Sequence, residues 1–167
     1  MSKWLFEKYV LNDLYVSSDE LTIWILHADK APPHIGISSE KRFYSLKING
    51  KDEGLELKSL LNLIQKKAIP TLAITLTKKL KEVELKKIFN SFSSKIKRQQ
   101  TCLSPIVEIL KPQLKDLILV ELLEELNKNQ EINSVYGFNL PAGYEGIPSY
   151  TRETIQQRIN AVQPSER

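Results

Sequence analysis

The sequence predicts an α+β fold, and three observations carry that reading. Short β-branched and aromatic runs recur early, over 21–27, 34–38 and 42–48, with turn signals between them. Apolar residues at helical spacing follow, most clearly over 55–67, 81–93 and 114–127. At 41% hydrophobic and 26% charged residues, the composition is that of an ordinary globular chain able to bury a core without staples. A length of 167 residues suits one domain, read as an α+β body over 1–130 and a C-terminal arm with a short helix over 131–167.

The elements follow in order. Residues 3–16 carry Trp4, Leu5, Tyr9, Val10, Leu11 and Leu14 and suggest a short helix or an irregular apolar lead-in. A polar turn over 17–20 precedes the run 21–27, which lacks polar alternation and so predicts a strand buried on both faces. Pro32 and Pro33 break it into an extended loop. Residues 34–38 resume as a strand, 39–41 make a hairpin connection, and 42–48 return. Phe43, Ser45 and Lys47 then share one side, and Tyr44, Leu46 and Ile48 the other. Asn49-Gly50 is the strongest turn signal in the chain, and the polar stretch to Gly54 reads as leaving the sheet.

Leu57, Leu60, Leu61 and Ile64 predict a helix over 55–67, ended by Pro70. Residues 71–77 alternate and predict a strand. A helix over 81–93 would turn Val83, Leu85, Ile88, Phe89 and Phe92 inward. The next helix begins near Cys102 and runs to about Leu110, where Pro112 stops it. The helix over 114–127 is apolar on more than one face, which suits the middle of a core or a partner surface. The polar, glycine-containing segment 131–149 reads as a long loop, and Thr151 caps a last helix to Val162.

Net charge is +4, and the excess is local: Lys78, Lys79, Lys81, Lys86, Lys87, Lys95, Lys97 and Arg98 stand against Glu82 and Glu84. A solvated helix face accounts for this run, because the aromatics among the cations, Phe89 and Phe92, have core spacing. Nucleic acid is therefore not an expected partner. If it bound, affinity would fall steeply with salt. No run approaches the roughly 20 apolar residues of a membrane span, and the N-terminus has no signal-peptide pattern. A cytoplasmic location is the expectation. One cysteine excludes an internal disulfide and a cysteine-based zinc site. There is no phosphate-binding Gly-x-x-x-x-Gly-Lys loop and no Gly-x-Gly-x-x-Gly, and nothing repeats a metal-ligand spacing around His27, Asp29 and His34. No cofactor is called for.

The candidate chemistry gathers on Cys102. It stands where an apolar helical pattern begins, and Pro105, tolerated only in a first turn, fixes it near the start. Helix N-terminal charge and the nearby Lys95, Lys97 and Arg98 would favour a thiolate there, and free backbone N–H groups could hold an oxyanion. A buried, inert thiol is the competing reading. A nucleophile needs a base. His34, at a strand start after a proline-braced loop, is the first candidate, with Gly36 leaving open space on its face; His27 is the weaker one. Ser45 on the neighbouring strand is the first choice to orient the imidazole and Asn49 the second, whereas Glu40 and Asp52 fall in apparent turns.

His34-Ile35-Gly36-Ile37, followed downstream by Thr101-Cys102-Leu103-Ser104-Pro105-Ile106-Val107, resembles the circularly permuted branch of the NlpC/P60 papain-like superfamily. There a His-Val-Gly-Ile strand comes first and the cysteine last, at a helix start, in a Cys-x-x-Phe-Val pattern. The resemblance covers roughly residues 21–110. It implies a small antiparallel sheet packed against several helices in a permuted papain-like topology. It also implies hydrolysis or transfer of an acyl group at a peptide, amide or ester bond, with Cys102 as nucleophile and His34 as base. The chain departs from the pattern at Ser45, where a carboxylate is frequent, at Pro105, where an aromatic is usual, and at 95–100, where glycine and tyrosine are usual.

The partner of such an enzyme would be a small-molecule or peptide substrate. A second reading is a non-catalytic module that forms a homo-oligomer through helix 114–127 and the aromatic-bearing C-terminal arm.

Overall fold

The computed structural model describes residues 10–11, 19–92, 100–113 and 117–162. Its strands are β1 (Val10–Leu11), β2 (Thr22–Leu26), β3 (His34–Ser39), β4 (Arg42–Lys47), β5 (Gly50–Glu56), β6 (Thr71–Leu76) and β7 (Ile132–Phe138). Its helices are α1 (Leu57–Lys66), α2 (Glu82–Ser91), α3 (Ser104–Leu110), α4 (Leu119–Lys128) and α5 (Arg152–Val162). The sheet order is β1-β7-β6-β2-β3-β4-β5. Strands β2 to β7 are antiparallel to their neighbours, and β1 joins β7 in parallel. The fold is α+β, as the sequence predicts. The lead-in read over 3–16 lies outside the described residues apart from Val10–Leu11.

The sheet has helices on both faces, so its central strands lack a solvent side. All five residues of β2 and all six of β6 are buried. Side-chain alternation then divides the core. Trp24, Leu26, Phe43 and Ala73 pack with Leu57, Leu60 and Ile64 of α1 on one face. Ile23, Ile25, Ile35, Ile37, Tyr44, Leu46 and Ile74 pack with α2, α3, α4 and α5 on the other, which holds the larger core. Among the described residues no helix is long and apolar enough to cross a membrane.

Several expectations are corrected. The polar stretch after Asn49-Gly50 stays in the sheet as the edge strand β5, paired to β4 from Lys47↔Gly50 to Arg42↔Glu56. Its charged side chains suit an edge that must not recruit another strand. Gly54, at φ +77°, supplies the extra residue of a bulge between Tyr44↔Glu53 and Phe43↔Leu55. The segment read as a loop over 131–149 contributes β7, which lies between β1 and β6. Its polar Asn133 and Ser134 hide the pattern. Only Val135 is fully buried there, on the larger core, while Tyr136 and Phe138 pack on the Trp24 face.

Helix α4 uses its wide apolar surface inside the chain, with Leu119, Val120, Leu122, Leu123 and Leu126 all buried; positions 114–116 lie outside the described residues. In α2, Leu85 and Phe89 point inward but Val83 is 62% exposed, because two residues back from Leu85 is about 200° around a helix. Lys86 and Lys87 are solvent-exposed, and Lys78 caps the end of α3 by donating to the Ile109 carbonyl oxygen (3.2 Å).

Candidate functional site

The site lies at one end of the sheet, where β3 begins and β4 ends. His34 opens β3 and pairs with Leu26 of β2. Strand pairing sets Gly36 opposite Ser45, and Ser45 opposite Asp52, across β3, β4 and β5. His34 is thus a diagonal neighbour of Ser45 on one face, within reach of a cross-strand bond. Its Nε2 lies 3.1 Å from Ser45 Oγ. Ser45 Oγ donates to Asp52 Oδ2 (2.7 Å), and Asp52 Oδ1 accepts from Lys47 Nζ (2.9 Å).

This chain fixes a tautomer. The single hydroxyl proton of Ser45 is used on Asp52, so Ser45 can only accept from His34. Nε2 therefore carries the imidazole proton, and Nδ1 keeps its lone pair. Burial pushes the His34 pKa down to about 4, against the opposing pull of Asp52 and with smaller help from Lys47 and Arg158. The ring is neutral at pH 7, the form a general base requires.

Cys102 lies in the turn just before α3, which starts at Ser104 with Pro105 in its first turn. The turn is tied to itself: Thr101 N–H donates to Ser104 Oγ (2.9 Å), Leu103 N–H to Thr101 Oγ1 (3.2 Å) and Ser104 N–H to the Thr101 carbonyl oxygen (3.1 Å). The N–H groups of Leu103 and Ser104, expected to be free for an oxyanion, are thus engaged. The expected lowering of the thiol pKa is also overturned. Burial raises it, opposed by the backbone N–H groups of Ile35 and Cys102 itself and by the Arg158 cation. Lys95, Lys97 and Arg98, the cations expected to help, lie outside the described residues.

Cys102 and His34 line one cavity of about 330 Å3. They reach it from different sides. By strand alternation His34 shares the face of Gly36, while Ile35 and Cys102 belong to the larger core. The cavity sits at the open end of β3, where His34 and Ile35 both form its wall. Lys47 and Asn49 line it from the end of β4, Leu119 from α4, and Ile155, Arg158 and Ile159 from α5. Arg158 Nη1 donates to the Pro32 carbonyl oxygen (2.8 Å), tying α5 to the proline loop. Ser45 touches His34 from behind and does not line the cavity. His27 lies in the turn after β2 and does not line the cavity.

Two expectations about individual residues change. The space over Gly36 is filled: a Cβ there would run into the Phe43 ring and stand 3.0 Å from the Tyr44 carbonyl oxygen. Asp52, read as a turn residue, is the carboxylate of the site. A period-2 reading continued through 50–56 would have found it. Arg158 and Tyr150 carry no signal in the sequence, since their part in the site depends on where α5 and the segment before it return. The Tyr150 hydroxyl accepts from the Leu119 N–H (3.3 Å), and burial raises its pKa.

No family model, no curated protein and no solved structure matches the chain.

Proposed function

We propose that the protein is a cysteine-dependent acyl-transfer enzyme, a hydrolase or acyltransferase, with Cys102 as nucleophile, His34 as base and Ser45 as the residue that orients the base. A permuted papain-like arrangement belongs to this reading. The observation that supports it most is that the thiol and a neutral, tautomer-fixed imidazole line the same cavity. Asp52 fills the carboxylate role one strand further out, acting through Ser45.

The resting pair is thiol and neutral imidazole, because burial raises one pKa and lowers the other. As the thiol proton passes to His34, the sulfur bonds to the substrate carbonyl carbon. The bond from that carbon to the leaving group breaks, and the leaving group departs with the proton from His34. Water or another acceptor then gives a proton to His34 and displaces the sulfur, which is reprotonated. Ser45 and Asp52 keep the imidazole in register through both halves.

Self-association through 114–127 and the arm has less support, because α4 and β7 use their apolar side chains within the chain. The test is intact-protein mass spectrometry after incubation with an activated acyl ester such as p-nitrophenyl decanoate. One acyl group on Cys102, absent in Cys102→Ala, is the expected result. An unmodified Cys102 in folded protein contradicts the assignment.

A further inference from the structure

The cavity itself says what kind of acyl group it would take, an inference that rests on the acyl-transfer reading for its chemistry but not for its binding. Most of the wall is aliphatic, with Pro33, Leu46, Leu103, Leu119, Ile155 and Ile159 from five different segments. Such a wall offers an extended hydrocarbon chain burial and gives a polar peptide few partners. At about 330 Å3 the cavity is at the small end of ligand pockets, which run from roughly 300 to 1,000 Å3, a size that suits a medium-length chain.

The charges are one-sided. Lys47 and Arg158 line the cavity, and among the described residues no aspartate or glutamate does. Lys47 is already paired with Asp52. Arg158 is different: its described bond is to the neutral Pro32 carbonyl oxygen, and among the described residues no carboxylate pairs with it. A guanidinium on the exposed side of α5 that also reaches the cavity can receive an anion from a bound ligand. We propose that the site takes a medium-length apolar acyl group joined to an anionic carrier, with the chain against the aliphatic wall and the anion against Arg158.

The test uses the full chain carrying Cys102→Ala, which binds without turnover, and titration calorimetry with a matched set of probes. N-decanoylglycine has the chain, a carbonyl and a carboxylate. N-decanoylglycinamide is neutral, N-decanoyl-ethylenediamine is cationic, and N-acetylglycine lacks the chain. The expected order is N-decanoylglycine about tenfold tighter than the amide, weaker binding of the cation and no measurable binding of N-acetylglycine. A single charge-assisted contact is of that size. Arg158→Gln should erase the preference for the anion, and Arg158→Lys should keep part of it. Equal binding of anion and cation, or indifference to chain length, overturns the proposal. If the preferences hold but Cys102 is never acylated, the catalytic reading fails and the ligand class stands. If Cys102 is acylated without these preferences, the ligand class fails alone.

Discussion

His34 makes an energetic statement as well as a chemical one. Its pKa is about 4 in the folded chain against 6.5 for the free side chain. The unfolded state therefore binds the proton more readily between those values. The stability tied to the neutral ring is complete above about pH 6.5 and is lost as pH falls toward 4, a total of roughly 3 kcal/mol. Urea unfolding at pH 7 and pH 4.5 should show a larger loss for the wild type than for His34→Gln. Equal losses would mean that the ring is not desolvated. At this scale the sequence was legible in part. Cys102, His34 and Ser45 could be picked out because residue types and strand phase bring them forward. The thiol's raised pKa could not, because desolvation depends on segments that meet around Cys102 from elsewhere in the chain and leave no local pattern. Asp52 was missed because a charged edge strand with a bulge at Gly54 has the composition of a turn.

The elements hold the site through ordinary packing, and their legibility followed how much each depends on neighbours. Strands β2, β3 and β4 and helices α1 and α4 announce themselves by period, since their side chains carry the burial. β5 and β7 are held mainly by backbone ladders to β4 and β6, so polar side chains conceal them. Gly36 tests the packing between β3 and β4. In Gly36→Ala the new methyl meets the Phe43 ring and the Tyr44 backbone. Overpacking of this kind should lower stability by about 1–3 kcal/mol in denaturant unfolding. A neutral result would show that Phe43 can swing aside. It would also free the ground next to Ser45, so its effect on acylation is worth reading alongside.

The whole molecule makes the cavity from segments far apart in the chain: the proline loop, the ends of β3 and β4, the turn before α3, and α4 and α5. Ile155, Arg158 and Ile159 of α5 line it together with Cys102. Ile159 is 6% exposed and packs in the same core as Cys102. Ile159→Ala should cost about 2–4 kcal/mol of stability. It should also bring the Cys102 pKa down toward the ordinary thiol range by letting water in. Iodoacetamide alkylation followed against pH reads that shift, and an unchanged apparent pKa would show that α5 does not set the thiol's environment.

The measurement that bears most directly on the Cys102–His34 pair is the pH profile of single-turnover acylation of Cys102 in the wild type and in His34→Gln. If the thiol proton passes to His34, the wild-type rate should rise through about pH 4, the His34 value, and then stay level into the alkaline range. In His34→Gln the rate at pH 7 should fall about 100-fold or more. It should also climb about tenfold per pH unit, because only direct ionisation of the thiol then makes the nucleophile. Parallel profiles for the two proteins, at similar rates, would contradict the pairing of Cys102 with His34.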